Sequence, residues 1–102
     1  MNNSKTEKLR NIVSNHKLYI MPCCYDALSA KMIEQSGFEL SFMSGFATSA
    51  TKLGLPDTGL ISYGEIIDQG RNICENVNIP IIGDGDTGYG NAINVRRTVK
   101  GF

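Results

Sequence analysis

The chain predicts an α/β fold built on a parallel sheet, and three observations carry that prediction. Short apolar runs at Leu18–Met21, Leu40–Met43 and Ile79–Gly83 alternate with longer segments of helical periodicity. The runs are apolar at successive positions rather than at every second one, as expected of strands covered on both faces. Residues that start and stop helices punctuate each alternation.

From Ser4 to about His16, apolar Leu9, Ile12 and Val13 fall at helical spacing among charges, which predicts a short amphipathic helix. Leu18-Tyr19-Ile20-Met21 reads as a first strand closed by Pro22. Asp26 is placed to cap a helix running to about Ser36, with Ala27, Leu28, Ala30, Met32 and Ile33 apolar and Gly37 as terminator. Leu40-Ser41-Phe42-Met43 is the second strand, stopped at Ser44-Gly45. Leu53 to Leu60 has turn chemistry and no period, so it reads as a loop. Ser62 with Glu65 three residues later is a capping-box pattern opening a helix to about Asn76. Ile79 to Gly83 gives the third strand, and a last helix starts at Asn91 or Ala92 and is still running near Phe102. Its stripe of Val95, Thr98, Val99 and Phe102 shows no stop signal, so the expectation is a fragment or a truncated gene product. A closed (β/α)₈ barrel takes about 250 residues, and an open sheet leaves a strand edge unpaired.

Ten basic and ten acidic side chains balance to a net charge of zero. That balance points away from a nucleic-acid surface and from a polybasic membrane patch. No apolar run approaches the length of a membrane span, and the polar, charged start is unlike a secretory signal. Three cysteines, Cys23, Cys24 and Cys74, have no Cys-x-x-Cys spacing, which argues against a disulfide framework or a zinc site. A cytoplasmic location is expected, with an organellar matrix as the other reducing compartment. His16, the lone histidine, reads as solvated or helix-ending rather than catalytic.

The chemistry concentrates in Ile81-Ile82-Gly83-Asp84-Gly85-Asp86-Thr87-Gly88-Tyr89-Gly90-Asn91. An apolar strand ends in two carboxylates one residue apart, which on an extended chain aim at the same side. Like charges held so close call for a positive partner. Mg²⁺, a hard cation that takes oxygen ligands and retains waters, is the natural one.

Four motifs together resemble the isocitrate lyase and phosphoenolpyruvate mutase superfamily: Pro22-Cys23-Cys24-Tyr25-Asp26-Ala27-Leu28-Ser29-Ala30, Phe42-Met43-Ser44-Gly45, Leu53-Gly54-Leu55-Pro56-Asp57-Thr58-Gly59, and Asp84 to Asn91. The last is the most specific. The nearest flavour is methylisocitrate lyase, dimethylmalate lyase, oxaloacetate decarboxylase and carboxyphosphonoenolpyruvate phosphonomutase. The resemblance implies that residues 18–102 are the first three β-α units of a (β/α)₈ TIM-type barrel, truncated, after an N-terminal helical segment at 1–17. It implies a Mg²⁺ site (Mn²⁺ as substitute) at Asp57, Asp84 and Asp86, some of them through bound waters. It assigns Ser44, Gly45, the backbone of Phe46, and Asp84 to the substrate. Ser44 and Gly45 lie just past a strand end, where backbone N–H groups can face an anion.

The activity implied is a Mg²⁺-dependent lyase that cleaves a C–C bond of a 2-hydroxy di- or tricarboxylate. The product is a 2-oxo acid, formed through a metal-stabilised enolate or aci-carboxylate. A P–C bond phosphonomutase or hydrolase, or an oxaloacetate decarboxylase, would use the same metal site, and an inactive fragment is the rival of another class. The partner is a small 2-oxo or 2-hydroxy carboxylate, with neither nucleic acid nor membrane, and full-length members are expected to be homotetramers. The proton-transfer group is expected after Phe102, in a Lys-Lys-Cys-Gly-His type segment.

Other residues read more simply. Cys23 and Cys24 pack behind the first strand, and Cys74 is core. Asp26 caps a helix, Tyr89 and Asn91 shape the metal loop, and Arg96, Arg97 and Lys100 form a solvated helix face. Phe42 stands where many lyases have tyrosine, and Gly85 where alanine is common.

Overall fold

A computed structural model describes residues 3–102. The first two residues of the 1–17 segment lie outside the described residues. Helix α1 (Asn3–Ser14) precedes strand β1 (Cys23–Cys24), helix α2 (Ala27–Gln35), strand β2 (Ser41–Met43), helices α3 (Gly45–Leu53) and α4 (Tyr63–Asn76), strand β3 (Ile81–Gly83) and helix α5 (Ala92–Gly101). The strands form a parallel sheet in the order β1-β2-β3, with Cys24 opposite Met43 and Met43 opposite Gly83.

Helix starts follow the side chains available to accept the first free N–H groups. Asp26 Oδ1 accepts from Ser29 N at 2.7 Å, and the Ser29 hydroxyl returns the favour to Asp26 N. Ser62 and Glu65 form the expected capping box of α4, and Asn91 pairs with Asn94 in the same way at α5. Gly37 at φ +88° and Gly54 at φ +64° take the left-handed conformation that ends α2 and α3.

One face of the sheet carries Cys24 and Met43, both buried under helices, in a core with Ala30, Ile61, Ile66, Ile73 and Val77. At Gly70 helix α4 packs against Met43, whose Cε lies 3.5 Å from where a Cβ would project, an ordinary van der Waals distance. The opposite row, Cys23, Phe42 and Ile82, is exposed or half-buried. The sheet is thus covered on one face among the described residues, which corrects the expectation of cover on both.

Three further expectations change. Leu18–Met21 is not a strand: Leu18 is 95% exposed, and pairing begins at the Pro22 carbonyl, which accepts from Phe42 N at 3.1 Å and Ser41 Oγ at 2.8 Å. Helix α3 falls where no helix was expected, in a segment rich in β-branched and hydroxyl residues, started by the Ser44 side chain. Cys23 and Cys74 are exposed, so only Cys24 packs as anticipated. His16 is exposed as expected, and no helix among the described residues is long and apolar enough to cross a membrane.

The end of the molecule opposite the loops is tied by electrostatic contacts, among them Lys8 Nζ donating to the Asn78 carbonyl at 3.3 Å. Lys5 Nζ donates to the Cys74 carbonyl at 2.5 Å, in the last turn of α4, where the helix dipole favours a cation. Glu34 Oε1 accepts from Asn78 N at 2.7 Å and Ile79 N at 3.1 Å, fastening α2 to the chain entering β3. Glu34→Ala should lower stability by about 1–3 kcal/mol, the range for a charge-assisted hydrogen bond lost at a partly buried carboxylate. Glu34→Gln retains the accepting oxygen and should lose less than half of that, both read by urea unfolding.

Candidate active site

The parallel ladder continues one residue past the strands and sets the site. Ser44 N donates to the Cys24 carbonyl at 3.0 Å, and Asp84 N donates to the Met43 carbonyl at 3.2 Å. Because Met43 pairs with Gly83, the residues that follow them, Ser44 and Asp84, emerge side by side at the C-terminal ends of their strands. Helix α3 starts at that point. The Ser44 hydroxyl accepts from Ala47 N at 3.1 Å, and Gly45 N, at the first helical position, donates to Asp84 Oδ2 at 3.0 Å. The Phe46 N–H has no acceptor within its own helix, while the Phe46 side chain is 67% exposed.

Any side chain at Gly45 would displace the Asp84 carboxylate. A Cβ on it would lie 2.5 Å from Asp84 Oδ2, which is closer than any van der Waals contact permits. The turn after β2 and the acidic loop therefore touch through a backbone N–H and a carboxylate.

Asp84 and Asp86 do not point along a common strand face as expected, because β3 ends at Gly83 and the chain turns. Asp86 adopts φ +49°, and its N–H donates to Asp84 Oδ1 at 3.1 Å. Asp84 is half-buried with both oxygens engaged, whereas Asp86 and Asp57 are exposed. Among the described residues, no three His, Cys, Asp or Glu side chains come close enough to hold a metal ion directly. The structure thus brings Ser44, Gly45, Asp84 and Asp86 into one neighbourhood, with Phe46 beside them, without closing a carboxylate cage.

Tyr89 reports where the three carboxylates lie. Burial first, then the charges of Asp86, Asp84 and Asp57, push its phenol up to about 12. Asp57, in the loop between α3 and α4, is therefore within electrostatic reach of the same ring. Asn91 acts as the cap of α5, its Oδ1 accepting from Ile93 N and Asn94 N. Cys24 is fully buried, and burial holds its thiol above the usual range, so it is no nucleophile. Residues that sequence reasoning missed are Tyr63, whose ring centroid lies 6.0 Å from that of Tyr89, and Arg97, whose guanidinium lies over Tyr63. Their spacing along two separate helices carried no local signal.

A family model described as phosphoenolpyruvate phosphomutase matches residues 9–102. The chain belongs to that family. It is 47% identical over 94 residues to the chloroplastic carboxyvinyl-carboxyphosphonate phosphorylmutase of Arabidopsis thaliana, covering 91% of this chain and 28% of the relative. It is 41% identical over 95 residues to the 2,3-dimethylmalate lyase of Eubacterium barkeri, covering 93% and 33%. A solved phosphonopyruvate hydrolase in complex with oxalate and Mg²⁺ superposes with a TM-score of 0.89 at 36% identity, covering 95% of this chain and 34% of the other. Oxaloacetate decarboxylases are also among the relatives. The chain spans about a third of the length of the relatives it matches.

The Tyr89 environment yields a direct test. Its pKa is raised above the unfolded value near 10, so the stability it contributes is complete below that pH and is lost as pH rises through about 12. An ultraviolet difference titration of the wild type against Tyr89→Phe should isolate this late-ionising phenol. The variant should also lose that part of the alkaline stability decline.

Proposed function

We propose that the chain is the metal- and anion-binding portion of a Mg²⁺-dependent lyase that cleaves a C–C bond of a 2-hydroxy di- or tricarboxylate. The observation that carries this reading is the Gly45 N–H to Asp84 carboxylate contact, which joins the turn after β2 to the acidic loop after β3. In this reading the three strands are the first β-α units of a (β/α)₈ barrel, whose strand ends gather on the face where such enzymes keep their sites. Residues 1–17 are then an appended helical segment and 18–102 the start of the catalytic domain. Three free cysteines suit a reducing compartment.

Asp84, Asp86 and Asp57 would hold Mg²⁺. The donor set fits: all are hard oxygens, and each Asp84 oxygen that accepts one N–H keeps a further lone pair. Mg²⁺ commonly uses only one or two carboxylates directly and waters for the rest, which matches carboxylates that approach without forming a cage. When bound, Mg²⁺ supplies Lewis-acid stabilisation of negative charge on the oxygen of a 2-oxo acid.

The chain's own groups do the remaining work. Phe46 N–H and the start of α3 present donors and a positive dipole end to a substrate carboxylate. Gly45 N–H holds Asp84 in place, so its orientation is set before substrate arrives. Burial and the neighbouring carboxylates raise the Tyr89 phenol to about 12, so without metal it holds its proton throughout the neutral range. A small 2-oxo or 2-hydroxy carboxylate is the substrate class.

A second reading has specific support. The 47% identity to a phosphorylmutase favours P–C bond chemistry on the same residues. Assay of the full-length protein with each substrate separates the readings: pyruvate and propionate from 2,3-dimethylmalate mark the lyase, phosphoenolpyruvate from phosphonopyruvate the mutase, pyruvate and phosphate from it the hydrolase, and pyruvate and CO2 from oxaloacetate the decarboxylase.

For this chain, calorimetry should show saturable oxalate binding that requires Mg²⁺. Gly45→Ala should weaken it by roughly 10–100-fold, as expected when a charge-assisted hydrogen bond is lost and its carboxylate displaced. Asp84→Asn should weaken Mg²⁺ affinity at least as much. Oxalate binding indifferent to Mg²⁺ would rule the reading out.

A further inference from the structure

The acidic loop holds a conformation that its own bonds do not account for. Two of its non-glycine residues, Asp86 at φ +49° and Tyr89 at φ +60°, lie in the left-handed region. Aspartate tolerates that region through local hydrogen bonding, and the Asp86 N–H does bond to Asp84 Oδ1. Tyrosine has no such recourse, and a bulky residue stays there only when its surroundings hold it.

Helix α5 holds the loop at Gly88. Thr98 Oγ1 donates to the Gly88 carbonyl at 2.8 Å, and Val95 fills the space where a Gly88 side chain would project. At Tyr89 the hold is made by rings. The Tyr89 and Tyr63 centroids are 6.0 Å apart with a 56° tilt, the edge-to-face range in which aromatic quadrupoles attract. Arg97 Cζ lies 5.2 Å from the Tyr63 centroid, within cation–π distance. Gly101, one turn on, leaves room for the Tyr63 hydroxyl, which any Cβ there would strike.

The stack therefore joins three segments: the acidic loop, the first residue of α4, and the flank of α5. Thr98 is the buried residue of α5 and Val95 is half-buried, so few other contacts anchor this helix. We infer that Tyr63 and Arg97 are positioning residues, forming with Tyr89 a strut that holds the loop of residues 84–91 in the shape its carboxylates need. The inference rests on the proposed metal and anion site for its purpose, but the strut itself can be tested without metal.

The test is amide hydrogen exchange by NMR at Asp86 and Gly88, whose N–H groups bond to Asp84 Oδ1 and the Gly85 carbonyl. It is run beside Mg²⁺ titration of the same full chains. Tyr63→Leu should speed exchange at both amides by roughly three- to tenfold and weaken Mg²⁺ binding in proportion. Tyr63→Phe keeps the ring and should behave as wild type. Arg97→Gln, at an exposed position that should not threaten folding, should speed exchange by about two- to fivefold. Exchange at Ile73, in the buried interior of α4, should stay unchanged relative to these sites. Unaltered exchange at Asp86 and Gly88 in Arg97→Gln and Tyr63→Leu overturns the inference. So does an equal rise at Ile73, which marks general loosening. If the wild type binds no Mg²⁺ while the exchange pattern holds, the proposed function fails and the strut stands.

Discussion

Parallel pairing of Met43 with Gly83 governs most of what this molecule can do at its loop end. In a parallel ladder, residues that leave paired strands leave them in the same direction and at the same height. Ser44 and Asp84 therefore emerge together, and the N–H of Gly45 has the Asp84 carboxylate within hydrogen-bond reach. A slip of one residue would exchange the faces of β3, turning Ile82 toward the helices and moving the acidic loop away from α3. Ile81, on the same face of β3 as Gly83 and packed against the core that holds Cys24 and Met43, would lose that packing in such a slip.

The two ends of the sheet divide their tasks. At the strand N-termini, Lys5 and Glu34 satisfy backbone groups at a helix end and a loop, which are stabilising contacts. At the C-termini, side chains and helix starts face one another, and donors such as the Phe46 N–H have no helical acceptor. The stabilising ties and the candidate site thus sit at opposite ends of the same three strands. The uncovered row of Cys23, Phe42 and Ile82 is the face that a closed barrel would turn inward.

Local chemistry was legible wherever a residue acts on its sequence neighbours. Asp26, Ser62 and Asn91 cap helices because their side chains reach N–H groups two or three residues ahead, and Gly37 ends α2 through its own φ. Leu18–Met21 misled because an apolar run carries no information on whether a partner strand lies beside it. The pairing of β1 begins only where the Pro22 carbonyl meets Phe42. The Asp84–Asp86 alternation misled for a related reason. Period-two geometry holds only while the strand lasts, and this strand ends before the first carboxylate. Arg97 read as solvated because the ring beneath it belongs to a helix that begins more than thirty residues earlier.

By itself the sequence determined the class of fold and the caps of α2, α4 and α5, since each depends on spacing and on atoms a few bonds apart. Tertiary structure alone decided that the Gly45 N–H meets Asp84, that the carboxylates approach without forming a cage, and that Tyr63 and Arg97 brace the loop. Those contacts join segments that are distant in the chain. Their geometry is set by the register of the sheet and the seating of α4 and α5, and no local pattern encodes either.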